Sequence, residues 1–420
     1  MSATIITGDA VEQLAILPAG QFHCAVTSPP YWGLRDYGIA GQLGNEKTPE
    51  EYIANMLLVF AGVWRVLRDD GTLWLNLGNS YANPSQSGGG DPTIGTRNLG
   101  GVRQPKVAVP SGLKPKDLVG IPWRVAFALQ AAGWYLRSDI IWEKPNAMPL
   151  SVKDRPTTNH EYLFLLAKKQ RYFYDAVAIA EPSKTKDMRR PYGSKGMWKV
   201  DGRPEEQQHG GEPRYPGNRT ARDGVDEKGG NQGNGMIPNT PTRNKRSVWR
   251  IPTHGFKAAH FATFPPKLVE PCIMAGTSER GCCAECGAQQ VRLIEKVRRA
   301  TRPGEKTKVK VPGGWDIGAG AHGTVHRNGR TEATYRETAE VGNRDPERHV
   351  TETTTVGWIP SCKCGAGVVP CRVLDPFAGA GTTGVVCSRF GRDFTGIELN
   401  TEYAELARRR IAETQPELFG

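Results

Sequence analysis

Short apolar runs alternate with segments of helical spacing through the first 82 residues. ATIIT reads as a strand, DAVEQLAILP as a helical segment, and FHCAV as a buried strand that runs straight into TSPPYW, residues 27–32, where Pro29 and Pro30 stiffen the loop and are expected to leave its carbonyls facing outward. VWRVLRDDGTLWLNLGNSYAN follows as a helix, an Asp-Gly turn and a further strand. The same rhythm resumes in LKPKDLVGIPWRVAFALQAAGWYLRSDIIWEK, a helix ended by Gly133 and then a strand, and in the strand-like run HEYLFLLAKK. HFATFPPKLVEPCIMAG starts another helix, and VLDPFAGAGTTGVVCSRFGRDFTGIELNTEYAELARRRIAE reads as strand, glycine-rich loop, helix, strand, helix. The alternation predicts an α/β fold with a mostly parallel sheet flanked by helices.

Two stretches break the pattern. Residues 83–112 are rich in glycine and proline and read as a long loop inserted in the first part of the fold, 1–180. Residues 181–246 are rich in Gly, Pro, Arg and Lys with few aliphatics, too polar to bury a core of their own. The formal charge of +12 favours an anionic partner, most simply nucleic acid. No run approaches the length of a membrane-spanning helix and the first residues lack a secretion signal, so the expectation is a cytoplasmic protein without membrane contact.

The glycine loop carries the first chemistry. Val373 and Leu374 end a strand, Asp375 follows, and Gly379, Gly381 and Gly384 open a helix. Asp375 can accept from a cofactor's amino group or orient the loop. About twenty residues later, GIELN places Glu398 after a second strand, where a carboxylate can take both hydroxyls of a ribose. The pair indicates an adenosine-bearing cofactor. The glycine spacing also matches the dinucleotide fingerprint, but a pyrophosphate site would not want Asp375 at its mouth, whereas a cationic sulfonium with an amino-acid tail would.

Together, DPFAGAGTTG, GIELN and TSPPYW resemble the S-adenosylmethionine-dependent DNA methyltransferases that modify exocyclic amines, and the early position of TSPPY resembles their permuted beta subgroup. The resemblance implies a Rossmann-like methyltransferase fold acting on double-stranded DNA, with a cognate restriction endonuclease as a conceivable partner. It implies catalytic roles for Ser28, Pro29, Pro30 and Tyr31, with Ser28 and the Pro29 carbonyl accepting from the target amine and a flipped base stacked on Tyr31, with Trp32 as a wall. It implies cofactor contacts from Asp9, Phe264, Pro265, Asp375, Phe377, Gly379, Gly381, Thr382 and Glu398. Ser-Pro-Pro-Tyr is the form most frequent in cytosine-N4 enzymes, which makes cytosine N4 the expected target and adenine N6 its nearest rival. A DNA-binding protein that has lost turnover is the rival of another class. His160 and Glu161 read as structural, and Asp36 as an exposed turn acid. Residues 181–246 occupy the place of the target-recognition region, so RPYGSKGMWK and RNKRSVWR are expected to contact DNA. The cofactor half would comprise 247–276 and 372–420.

Of the nine cysteines, Cys24, Cys272 and Cys387 sit in apolar surroundings and read as buried. Cys283-x-x-Cys286-Gly and Cys362-x-Cys364-Gly are tight pairs whose four thiolates could close a tetrahedral structural zinc site bracing an insertion at 277–371, with Cys282 and Cys371 as substitute ligands. Methyl transfer from a sulfonium needs no Lewis acid, so no catalytic metal is expected. Oligomeric state and recognition sequence leave no mark in the residues.

Overall fold

The computed structural model describes residues 2–34, 38–39, 41–82, 112–147, 149, 152–183, 241–253, 264–300, 309–310, 316–317 and 349–414. RPYGSKGMWK, Asp36 and the loop 83–111 lie outside them. The chain divides into two compact units, one of Met1–Glu181, Thr242–Glu295 and Thr354–Gly420, the other of Pro182–Pro241 and Lys296–Thr353. Both cysteine pairs lie in the first unit. In the second unit, Val309–Lys310 pairs antiparallel with Asp316–Ile317.

The first unit is built on an eight-stranded sheet. Its strands are β1 (Ala3–Thr7), β2 (Phe22–Thr27), β3 (Leu67–Leu77), β4 (Tyr135–Glu143), β5 (His160–Ala167), β6 (Val248–Arg250), β7 (Arg372–Asp375) and β8 (Asp393–Glu398). They lie in the order β1-β8-β7-β2-β3-β5-β4-β6, and β5 alone runs antiparallel to its neighbours. The helices are α1 (Ala10–Ile16), α2 (Pro49–Val66), α3 (Ile121–Ala131), α4 (Pro266–Gly276), α5 (Thr382–Arg389) and α6 (Thr401–Ala412).

Strand alternation sorts the side chains into two cores. Leu73, Leu75 and Leu77 of β3 join Phe22 and Ala25 of β2 beneath α1, α2 and α3, with Leu14, Phe60 and Val125. Cys24, Val26 and Trp74 point the other way, into Val269, Ile273, Val386 and Ala407 of α4, α5 and α6. Both faces are thus covered, which is why FHCAV reads as an unbroken apolar run. Helix starts carry the expected caps: the Asp9 carboxylate accepts from Val11 N and Glu12 N, and Thr48 Oγ1 from Glu51 N with Pro49 in the first turn of α2.

The topology also decides where a ligand can sit. From β2 the chain moves outward to β3, and from β7 it moves the opposite way to β8, although β2 and β7 are neighbours. The segments after β2 and β7 therefore diverge, α2 to one face and α5 to the other. They leave a crevice at the carboxyl ends of the parallel strands, the usual binding position in doubly wound sheets. Among the described residues no helix is long and apolar enough to cross a membrane.

Candidate active site

Both motifs sit at that crevice, joined by one buried carboxylate. Asp375, fully buried at the end of β7, accepts from Thr27 Oγ1 at 2.7 Å, from Thr383 Oγ1 at 2.7 Å and from Phe377 N at 3.1 Å. Burial pushes its carboxyl up to about 6 despite these three donors. Thr27 directly precedes Ser28, so Asp375 ties the TSPPY loop to the glycine loop and to the first turn of α5. Of its two expected roles, the geometry gives the orienting one. Thr27 and Thr383 are site residues that no local signal marked.

Glu398, at the end of β8, accepts from Gly379 N at 2.7 Å and from Asn400 N at 2.9 Å, with burial holding its carboxyl above the usual range. Gly381 precedes α5 without a capping side chain, which leaves the helix's first N–H groups uncapped beside Thr382. Thr7 pairs with Glu398 and Gly8 N donates to the Glu398 carbonyl at 2.9 Å, so Asp9 stands next to this acid, its carboxylate already engaged as the α1 cap. Phe377 is half-buried against the α1–α3 core. Pro265 is buried ahead of α4, and Phe264 packs half-buried on the α4–α6 core, joining the site only through that shared core.

On the other side of the crevice the structure corrects two expectations. The Pro30 carbonyl does not face outward: it accepts from Tyr52 Oη of α2 at 2.9 Å, because α2 packs under the loop. Trp32 is no pocket wall. It is 3% exposed, lies in the α1–α3 core and donates its indole N–H to the Glu46 carbonyl at 3.0 Å. Pro29 is buried and Ser28 half-buried.

Ser28 Oγ lies 3.3 Å from both Tyr31 Oη and Asn76 Oδ1, and Tyr31 Oη lies 3.0 Å from Asn76 Oδ1 and 2.8 Å from Glu161 Oε2. Tyr31 has one proton to give, and the charged, nearer acceptor is Glu161. Burial first, then the Glu161 charge, raises the Tyr31 hydroxyl well above its ordinary value, so it stays a donor. Lys144, just past β4, pairs with Glu161, and Asn76 is oriented by donating Nδ2 to the Tyr162 carbonyl at 3.0 Å. Glu161 therefore reaches the site it was not assigned to, while His160 packs edge-on against Tyr162 at 5.5 Å.

The Tyr31 ring lies so close to Gly78 that a Cβ there would stand 2.5 Å from its Cε2. Gly78→Ala is expected to displace Tyr31 and to cost about 1–3 kcal/mol. Denaturant unfolding checks this, and an unchanged midpoint would show that the ring moves freely.

Within the basic stretch RNKRSVWR, Val248–Arg250 forms the edge strand β6. Arg243 and Arg246 pair with Glu181 at 2.8 and 2.6 Å, and Arg250 lies 3.5 Å from Glu143.

The cysteines assemble as their spacing predicts. The thiols of Cys283, Cys286, Cys362 and Cys364 lie within 4.8 Å of one another. Gly287 (φ +69°) and Gly365 (φ +70°) take the left-handed turn that lets the chain double back after each pair. The N–H groups of Cys286 and Glu285 point at the Cys283 sulfur and pull its thiol down to about 7, while the neighbouring thiols of Cys286 and Cys362 push Cys364 up to about 12. Cys282 and Cys371 are not substitutes, since they form a separate buried group with His23. His23 Nδ1 accepts from Arg372 N at 3.0 Å, so Nε2 carries the proton and donates to the Gly287 carbonyl at 2.9 Å. Both ring nitrogens are spent, and that group lacks a histidine ligand. Cys24, Cys272 and Cys387 are buried, as expected.

A family profile described as DNA methylase matches residues 22–284 and 372–409, passing over 285–371, which contains Cys286, Cys362 and Cys364. The chain is 35% identical over 409 residues to the type II methyltransferase M.XycI of Xanthomonas campestris pv. cyanopsidis, covering 97% of this chain and 87% of that protein. It is 34% identical to M.Cfr9I of Citrobacter freundii, with the same coverage of 97% and 87%. With M.SmaI of Serratia marcescens the identity is 34%, covering 98% of this chain and 91% of the relative.

Proposed function

The chain belongs to this N6/N4 DNA methylase family, a DNA methyltransferase specific for cytosine N4 or adenine N6, and from Ser28 in its Ser-Pro-Pro-Tyr loop we propose that it methylates cytosine N4 in double-stranded DNA using S-adenosylmethionine. The observation that carries the proposal is the tie from Ser28 through Thr27 to Asp375, which places an acceptor-rich loop beside a glycine loop across one crevice.

The residues present fit the cofactor. Glu398 keeps lone pairs beyond the two backbone donors it already accepts, enough for a ribose diol. The uncapped first turn of α5 suits the carboxylate of an amino-acid tail. Asp9, beside Glu398, borders the adenine end, and Phe264, Pro265, Phe377, Gly379, Gly381 and Thr382 complete the surroundings. When bound, the cofactor supplies a sulfonium methyl group.

An exocyclic amine conjugated to a pyrimidine ring is a weak nucleophile. Ser28 Oγ and the Pro29 carbonyl accept from its N–H groups and hold its lone pair toward the methyl. Transfer of that methyl would leave positive charge on the nitrogen and release one of its protons to water. The acceptors favour that charge without a covalent intermediate on the protein. The target base leaves the duplex to reach this depth, and Tyr31, anchored through Glu161 and Lys144, gives it a fixed ring to stack on. In the same reading a structural Zn2+ occupies Cys283, Cys286, Cys362 and Cys364.

Nucleoside mass spectrometry of DNA incubated with the protein and labelled S-adenosylmethionine tests the proposal. N4-methylcytosine is the expected product. N6-methyladenine would overturn the base assignment while leaving the acceptor mechanism intact.

A further inference from the structure

We infer that a Zn2+ ion held by the four clustered thiols fastens β7 in register against β2 and so holds Asp375 in place; the inference rests on the metal reading of Cys283, Cys286, Cys362 and Cys364. β7 spans four residues, all of them paired with β8, but it meets β2 at only two positions, Val373↔Cys24 and Leu374↔Ala25. Its approach to the sheet is set by the segments that carry the cysteines.

The first cysteine turn grips the sheet directly. Arg68 Nη1 of β3 donates to the Cys286 carbonyl at 2.8 Å, and His23 of β2 donates to the Gly287 carbonyl at 2.9 Å. The same His23 accepts from Arg372 N, the first amide of β7, at 3.0 Å. The fit is close: a Cβ at Gly287 would stand 2.6 Å from Arg68 Nη1. The second turn leads into Val368–Val369, which pairs antiparallel with Cys282–Cys283 just ahead of β7. Ala284 N adds a bond to the Gly367 carbonyl at 2.8 Å.

Between Cys286 and Cys362 the chain makes a long excursion whose two arms, Gln290–Ala300 and His349–Pro360, pair with each other and bring the two cysteine turns together. Four thiolates this close repel one another, and a bound cation turns the repulsion into a crosslink. The site lies at the amino end of β7, roughly 10 Å along the strand from Asp375. The metal acts through register and touches no reacting atom.

The test uses the full chain purified without metal resin. Elemental analysis should find about one zinc per chain. Zinc is stripped with 1,10-phenanthroline, and separately lost in Cys364→Ser. Hydrogen exchange should then accelerate at least about tenfold at residues 372–375 and stay within about twofold in β4, with recovery when zinc is restored to the stripped protein. Cys282→Ser and Cys371→Ser should keep the metal. Zinc-free protein with four freely titrating thiols would overturn the metal reading and the inference with it. Bound zinc whose loss leaves exchange in β7 unchanged would overturn the inference alone.

Discussion

Ser28→Ala is expected to lower methyl transfer by roughly 10²–10³-fold while cofactor affinity stays within about twofold, the range seen when one preorganised polar partner is removed from a developing charge. Ser28 Oγ stands 3.3 Å from Asn76 Oδ1 and from Tyr31 Oη, and no backbone hydrogen bond of the cofactor loop depends on it. On the proposed reading the substitution removes a group that faces the target amine, and it leaves the Thr27–Asp375 tie in place. Single-turnover transfer of labelled methyl, read beside calorimetric cofactor binding, separates the two quantities. Full single-turnover activity would show that the hydroxyl has no part in aligning the amine, and lost cofactor binding would move Ser28 to the other side of the crevice.

The two substitutions of Asp375 should differ sharply. Asp375→Ala leaves the Thr27 hydroxyl and the Phe377 N–H buried without their acceptor, at about 1–3 kcal/mol each, and leaves Thr383 only the more distant Val26 carbonyl. Cofactor affinity should fall at least a hundredfold as the glycine loop comes adrift. Asp375→Asn can keep the network: its Oδ1 still accepts, and its amide donates to Thr383 Oγ1, which turns its own proton to the Val26 carbonyl 3.4 Å away. Affinity should then fall by no more than about tenfold. A loss as deep as alanine's, in a folded protein, would mean that the negative charge itself meets the cofactor.

The asparagine variant also carries a pH signature. Burial raises the Asp375 carboxyl from 3.8 to about 6, so the folded state holds this proton more tightly than the unfolded chain. The resulting stabilisation is complete below pH 3.8 and is lost as pH rises through about 6. Asparagine, neutral throughout, escapes that loss. Its stability relative to the parent should therefore improve by up to about 3 kcal/mol between pH 4 and 7, as read by urea unfolding.

Much of the catalytic scaffold was legible because its signals are local. The βα rhythm, the buried FHCAV strand, the glycine-opened helix α5 and each of the two tight cysteine pairs depend on residues close in the chain, and each reappears in the structure. What could not be read depends on register between distant strands. Asn76, Glu161 and Lys144 sit at strand ends whose sequences look ordinary, and only the pairing of Leu77 with Tyr162 and of Trp142 with Glu161 brings them to Tyr31. The Pro30 carbonyl was misread for a related reason, since proline stiffness says nothing about which helix will pack beneath the loop. Likewise RNKRSVWR gave no sign that β4 would recruit its last three residues, Val248–Arg250, as an edge strand.

The placement of β8 and β7 between β1 and β2 has a consequence for biosynthesis. β1 forms its ladder only with β8, and the Ser2–Asp393 hydrogen bond beside that ladder spans 391 positions. On the ribosome, β1 must wait for β8, and the β2 edge for β7, until the residues between them have been translated. Loop closure over such distances is slow, and waiting strand edges invite association between nascent chains. Crowded polysomes should therefore yield aggregates rather than truncated but active enzyme, and co-translational chaperones should raise the soluble yield more than any change to the finished protein's surface.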